Sequence, residues 1–177
     1  MTNIVYIATS LDGYIADKNG SIEWLHSIPN PEGLDFGWAE FMQSVDALVM
    51  GRNTFETVCG FGIDWPYSKP VFVISHTLKC IPKAYEDKVF LVSGDIKEIV
   101  TNLNKQGYKT LYIDGGKTVQ SFVEQDLIDE LIVTQIPTLL GGGASLFGLL
   151  EQPQQYTLVK SEVLLNAMVK NHYRRVR

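Results

Sequence analysis

Small hydroxyls, glycines and a few cations recur wherever an apolar run of this sequence stops. Ser10-Leu11-Asp12-Gly13 follows residues 4–8, Gly51-Arg52-Asn53-Thr54 follows residues 47–50, and Ser75-His76-Thr77 follows residues 71–74. Ser93-Gly94, Asp114-Gly115-Gly116-Lys117-Thr118 and Thr134 stand at or near the ends of three more such runs. Glycine lets backbone N–H groups approach a ligand closely, and the first N–H groups of a helix attract an anion. The pattern reads as phosphate chemistry, with Arg52 as a charged partner beside a helix start. Gly115-Gly116 before a helical rhythm is the strongest local signal, although it is neither a G-x-G-x-x-G nor a Gly-Lys-Ser/Thr loop. Each stretch alone reads as a turn. Their recurrence carries the argument.

Elements must then bring these ends together. The runs are short and apolar on both sides, as strands covered on both faces are. Further runs lie at residues 89–92, 110–113 and 131–136. Helical spacing covers residues 35–45 through Phe36, Phe41, Met42 and Val45, and resumes after Gly51, where Asn53 or Thr54 is the expected cap. Asp95 caps a third helix that buries Ile96, Ile99, Val100 and Leu103 and stops at Gly107, while Val119, Phe122 and Val123 mark a fourth. Residues 156–165 and 168–176 alternate about a turn near Asn166, which predicts an antiparallel hairpin. Strands alternating with helices before a terminal hairpin predict an α/β domain whose sheet is mostly parallel. In such sheets ligands lie outside the carboxyl ends of the strands.

The chain has 177 residues, which suits one domain over 1–177 and leaves little room for a second. Its net charge of −5 argues against a general nucleic-acid surface but leaves room for local basic pockets. Cys59 and Cys80 are far apart with no paired-ligand spacing, so neither a zinc site nor a disulfide framework is expected. No apolar stretch approaches membrane-spanning length, and Met1 leads straight into a strand-like run without a signal peptide. The expected location is cytoplasmic.

MGRNTFE, VISHT and IDGGKTV, in that order and spacing, resemble the cofactor-binding motifs of the dihydrofolate reductase superfamily. Ser10-Leu11-Asp12-Gly13-Tyr14-Ile15-Ala16, Leu127-Ile128-Asp129-Glu130-Leu131 and Leu140-Gly141-Gly142-Gly143 are similar to its riboflavin-biosynthesis reductase branch. The resemblance spans nearly the whole chain. It implies a dihydrofolate reductase-like three-layer sandwich, with a mostly parallel eight-stranded sheet, an antiparallel C-terminal hairpin and NADPH across the carboxyl edge. By this resemblance Arg52 faces the 2′-phosphate, with His76 and Lys117 nearby. Gly51, Thr54, Ser75, Gly115, Gly116 and Thr118 belong to the remaining cofactor contacts, and Ala8 and Ile15 meet the nicotinamide. Such cations favour NADP over NAD, whose free hydroxyl would leave them unpaired.

On the substrate side, Asp35 stands sixteen residues before Gly51, the spacing at which folate reductases carry their acid. Trp24 and Thr134 match the tryptophan beside the substrate and the threonine supporting that acid. Burial is expected to raise the Asp35 pKa toward neutrality, and the residue also suits a helix cap. Asp12 is a weaker candidate that can simply bond its own turn. The implied reaction is hydride transfer from NADPH to a C=N or C=O of a pyrimidine- or pterin-type ring. The alternatives are reduction of a small pterin and a non-catalytic nucleotide-binding module. Tyr14 stands where riboflavin-pathway reductases often have lysine, no arginine is placed for a folate glutamate, and the zinc deaminase pattern is absent. Pro66 and Tyr67 fall where a folate pocket would extend. Homodimers are frequent among such relatives, and the apolar hairpin offers a face.

Overall fold

The structure is a computed structural model covering residues 1–177. β1 (Thr2–Thr9) opens the chain, followed by a short β2 (Tyr14–Ala16), α1 (Trp38–Ser44), β3 (Ala47–Gly51) and α2 (Arg52–Cys59). β4 (Val71–Ile74), β5 (Val89–Val92), α3 (Ile96–Lys105), β6 (Thr110–Asp114) and α4 (Gly116–Glu124) come next. β7 (Glu130–Gln135), a two-residue β8 (Ala144–Ser145), β9 (Tyr156–Leu164) and β10 (Met168–Arg175) complete it. Eight strands form one sheet in the order β5-β4-β3-β6-β1-β7-β10-β9. All neighbours pair in parallel except β10, which runs against both β7 and β9.

Alternation along the strands divides the core in two. Ala47 and Val49 join Ile99, Leu103, Val119 and Phe122 of α3 and α4 on one side. Leu48 and Met50 join Phe41, Met42 and Phe55 of α1 and α2 on the other. Helix pairs on both faces make the three layers the sequence predicts. A fully enclosed phenylalanine such as Phe55 or Phe122 contributes about 2–3 kcal/mol of apolar burial.

Asp95 caps α3 as expected, accepting from Lys97 N and Glu98 N at 2.9 and 3.3 Å. The cap of α2 differs from expectation. Gly51 occupies it, no side chain caps the helix, and Asn53 and Thr54 lie inside the first turn. The α1 helix starts later than the apolar rhythm, at Trp38, because Phe36 and Gly37 hold positive φ values of 54° and 89°.

Between the Ser10–Gly13 turn and the loop at residues 17–20 lies the short strand β2. β2 pairs antiparallel with β8 beyond the triple-glycine segment. The Asp12 carboxylate draws these segments together, accepting from Leu140 N at 3.1 Å, Gly141 N at 2.7 Å and Ser10 Oγ at 2.6 Å. Asp12 therefore ties a distant loop to its own turn, and these bonds, that from Ser10 above all, bring its pKa down to about 2. No helix is long and apolar enough to cross a membrane.

Candidate active site

The carboxyl ends of β3 and β6 are adjacent, and a helix leaves each of them on an opposite face of the sheet. The two helix starts interlock. A Cβ on Gly115 would lie 2.1 Å from Thr54 Oγ1, and one on Gly51 would lie 2.9 Å from Thr118 Oγ1. Each threonine, three residues inside its own helix, thus packs on the glycine that caps the other. Neither α2 nor α4 has a side-chain cap, unlike α3. Two sets of free helix N–H groups are held together at one edge, where their dipoles add. Ile15 closes over α4, since a Cβ on Gly116 would meet its Cδ1 at 2.8 Å.

Arg52 is the first residue of α2 and is exposed. Its Nε donates to Glu56 at 2.6 Å and its guanidinium donates to Thr77 Oγ1 at 3.0 Å. The arginine therefore reaches the Ser75–Thr77 turn, and His76 is exposed in that same turn. The Ser75 hydroxyl is already engaged, accepting from Thr77 N and Leu78 N at 3.2 and 2.9 Å. Lys117 is exposed in the first turn of α4. The structure brings Gly51, Arg52, Thr54, Gly115, Gly116 and Thr118 to one edge, with Lys117 in the same first turn of α4, and sets Ser75 and His76 in the turn that Arg52 reaches.

β1 stands next to β6, and a cavity of about 600 Å³ opens at the ends of β1 and β7. Ala8 and Thr134 are direct partners across these strands, and both line it with Asp35. Residues 25–36 form the outer wall through Leu25, Ile28 and Phe36. Trp24 is not in the lining. Its indole Nε1 is enclosed without a hydrogen-bond partner, while its neighbours Leu25 and His26 face the cavity.

Asp35 departs from expectation in its electrostatics. Its carboxylate accepts from Gly37 N and Ala39 N, both at 2.9 Å, and the residue is exposed rather than buried. The Ala39 and Gly37 N–H groups, with Lys170 nearby, hold its pKa below the usual carboxylate range. Its support is backbone of its own turn, not Thr134. That turn is itself clamped, because Phe36 O accepts from Tyr6 O–H at 3.0 Å and from Lys170 Nζ at 2.8 Å. Desolvation beside Asp35 pushes Tyr6 up to about 12, so it remains a donor. The strained Phe36 backbone is over-determined by these bonds, as a functional turn requires.

The raised carboxyl is elsewhere. Asp114 ends β6 immediately before the Gly115-Gly116 cap, beside the hydroxyls of Tyr67 and Tyr112, and burial pushes its pKa up. Sequence reasoning missed Tyr6, Lys170 and Asp114. Strand alternation was the available signal for Tyr6, which shares a face with Ala8. Lys170 becomes visible only through the register that sets it opposite Thr134.

The mostly parallel eight-stranded sheet with helices on both faces and an antiparallel C-terminal hairpin is a dihydrofolate reductase-like fold. An Enterococcus faecalis dihydrofolate reductase complexed with NADP(H) superimposes at a TM-score of 0.66 with 17% identity, covering 99% of this chain and 97% of that one. Residues 2–170 match the RibD C-terminal domain, and the chain belongs to that family. A Shewanella sp. PV-4 protein provisionally assigned to riboflavin biosynthesis is 55% identical over the full length of both chains, with a TM-score of 0.98. The Thermotoga maritima diaminohydroxyphosphoribosylaminopyrimidine deaminase/5-amino-6-(5-phosphoribosylamino)uracil reductase has a TM-score of 0.75 at 17% identity, over 99% of this chain and 56% of that one.

Proposed function

We propose that this chain is an NADPH-dependent reductase that delivers hydride to a C=N or C=O of a pyrimidine- or pterin-type ring. The observation carrying this reading is the interlocked pair of uncapped helix starts directly beside a cavity that holds Ala8, Asp35 and Thr134. The donor set fits a dinucleotide: paired N–H clusters suit a pyrophosphate, and Arg52 with His76 suits a further phosphate on the ribose. Bound there, NADPH supplies the hydride.

The chain's own residues do the rest. Gly51, Thr54, Gly115, Gly116 and Thr118 shape the phosphate cradle, with Ser75 fixing the turn that Arg52 reaches. Ala8 and Ile15 leave room for, and cover, a flat ring. Asp35 accepts ring N–H groups, and the Tyr6–Lys170 clamp keeps it in place. Thr134 offers a hydroxyl in the same cavity, and Trp24 backs its outer wall. Orientation of the two rings is the main catalytic contribution expected of such a site. Purified protein should oxidise NADPH, followed by absorbance, with at least one compound from a panel of pterins and pyrimidines. No oxidation with any of them, despite NADPH binding, would favour a non-catalytic module.

A homodimer belongs to the same reading. Residues 158–164 of the edge strand β9 read Leu-Val-Lys-Ser-Glu-Val-Leu, the same in both directions apart from the exchange of Lys160 and Glu162. Val159 and Val163 are exposed, and a two-fold axis at Ser161 would set Lys160 against the partner's Glu162. Sedimentation equilibrium should give twice the chain mass, and Val163→Glu should return it to one.

A further inference from the structure

We propose that the substrate taken by the cavity at the ends of β1 and β7 is a neutral or cationic ring bearing no anionic tail, because that cavity holds a carboxylate and no lysine or arginine. The inference rests on the reductase reading only for what happens to the ring. Eight of the thirteen lining residues are apolar, and Asp35 is the one acidic group among them. His26 is the only basic side chain in the lining and sits at its exposed rim.

The nearest ammonium is committed. Lys170 is bound to Phe36 O at 2.8 Å and to Glu162 at 3.2 Å, with its side chain only 14% exposed. Freeing it would leave the Phe36 carbonyl with Tyr6 alone and Glu162 with Lys160 alone. Tyr14 lies in β2, paired with Ser145, and supplies no charge. A phosphate ester or glutamate carboxylate placed in this cavity would be desolvated against apolar walls, near Asp35 and without a counter-charge. An aminopyrimidine edge has the opposite chemistry. Its N–H groups donate to the free lone pairs of Asp35, and its flat body fits walls such as Ile28, Phe36 and Ile136. The basic residues of the cradle (Arg52, His76) stand at the ends of β3 and β4, across the sheet edge from this cavity.

Two matched ligand pairs test this by calorimetry on the full chain in saturating NADP: a ribitylamino-uracil against its phosphate ester, and dihydropterin against dihydrofolate. The uncharged member of each pair should bind at least about tenfold tighter. Asp35→Asn should narrow that preference by strengthening the phosphate ester, a change that loss of fold cannot produce. Equal or tighter binding of the anionic members, or no binding of any of the four compounds, overturns the proposal. NADPH titration of the same samples is a separate arm. Absent heat there removes the reductase reading, while the ranking of the ligand pairs, repeated without cofactor, still decides the cavity's preference.

Discussion

Thr54 and Thr118 pack on each other's capping glycines at the ends of β3 and β6, so the proposed phosphate side of the edge is made chiefly of backbone. Two strands further along, the cavity is made of side chains, several from residues 25–36, which hold only the end of one short helical turn, Glu23–His26. The difference teaches what each end can tolerate. A backbone cradle depends on glycine and on exact approach of two helices. A side-chain cavity keeps its shape through cross-links such as Tyr6 and Lys170 on Phe36 O, and its chemistry changes one group at a time.

The largest effect should come from Gly115→Ala. Its new methyl would fall 2.1 Å from Thr54 Oγ1 at a φ of +89°. A loss of about 3 kcal/mol in stability and about 100-fold in NADPH affinity is expected, read by thermal melts and calorimetry. An unperturbed variant would show that the helix starts do not need this contact. Asp35→Asn is the matching change at the other end. It should lower kcat about 100-fold while leaving the NADPH Kd as it was. Full activity in that variant would remove Asp35 from the reaction.

Arg52→Ala is expected to weaken NADPH about tenfold and leave NADH unaffected, which sharpens the contrast between charge and backbone in the cradle. Its exposed pair with Glu56 contributes little to stability. Asp114→Asn probes the boundary between the two ends. The folded pKa of Asp114 is raised, so its burial penalty is absent below the unfolded carboxylate range and fully present once pH exceeds the folded value. The amide should therefore raise Tm by about 2–4 °C at neutral pH and have no such benefit in acid. Asp35 behaves oppositely. Its lowered pKa favours the folded state at neutral pH, and that contribution disappears only as pH falls through the folded value below the usual carboxylate range. Least of all, Asp95→Ala should cost about 1 kcal/mol through the α3 cap without altering any ligand affinity.

The cradle was legible because its parts are local. Glycine before a helix, and threonine three residues on, announce themselves within a few positions, and six of the cofactor-side residues do gather at one edge. The cavity was legible only in Ala8, Asp35 and Thr134. Asp35 was assigned a raised pKa on the expectation of burial, but the positive φ of Phe36 and Gly37 turns its carboxylate back onto Gly37 N and Ala39 N. The buried, raised carboxyl is Asp114, which in sequence is indistinguishable from a turn aspartate before Gly-Gly. Asp12 looked like a self-contained turn, and beside Ser10 in that turn it has partners more than a hundred positions away, at the triple-glycine loop.

By itself the sequence determined the alternation of strands and helices, the α3 cap and the hairpin, because hydrophobic period and turn chemistry act over a few neighbouring residues. Only the tertiary structure decided which carboxylate is exposed and which enclosed, that α2 and α4 interlock, and that Lys170 is spent on Phe36. Each of those depends on strand order and on which groups lose water together, and desolvation is a property of the packed chain rather than of any segment of it.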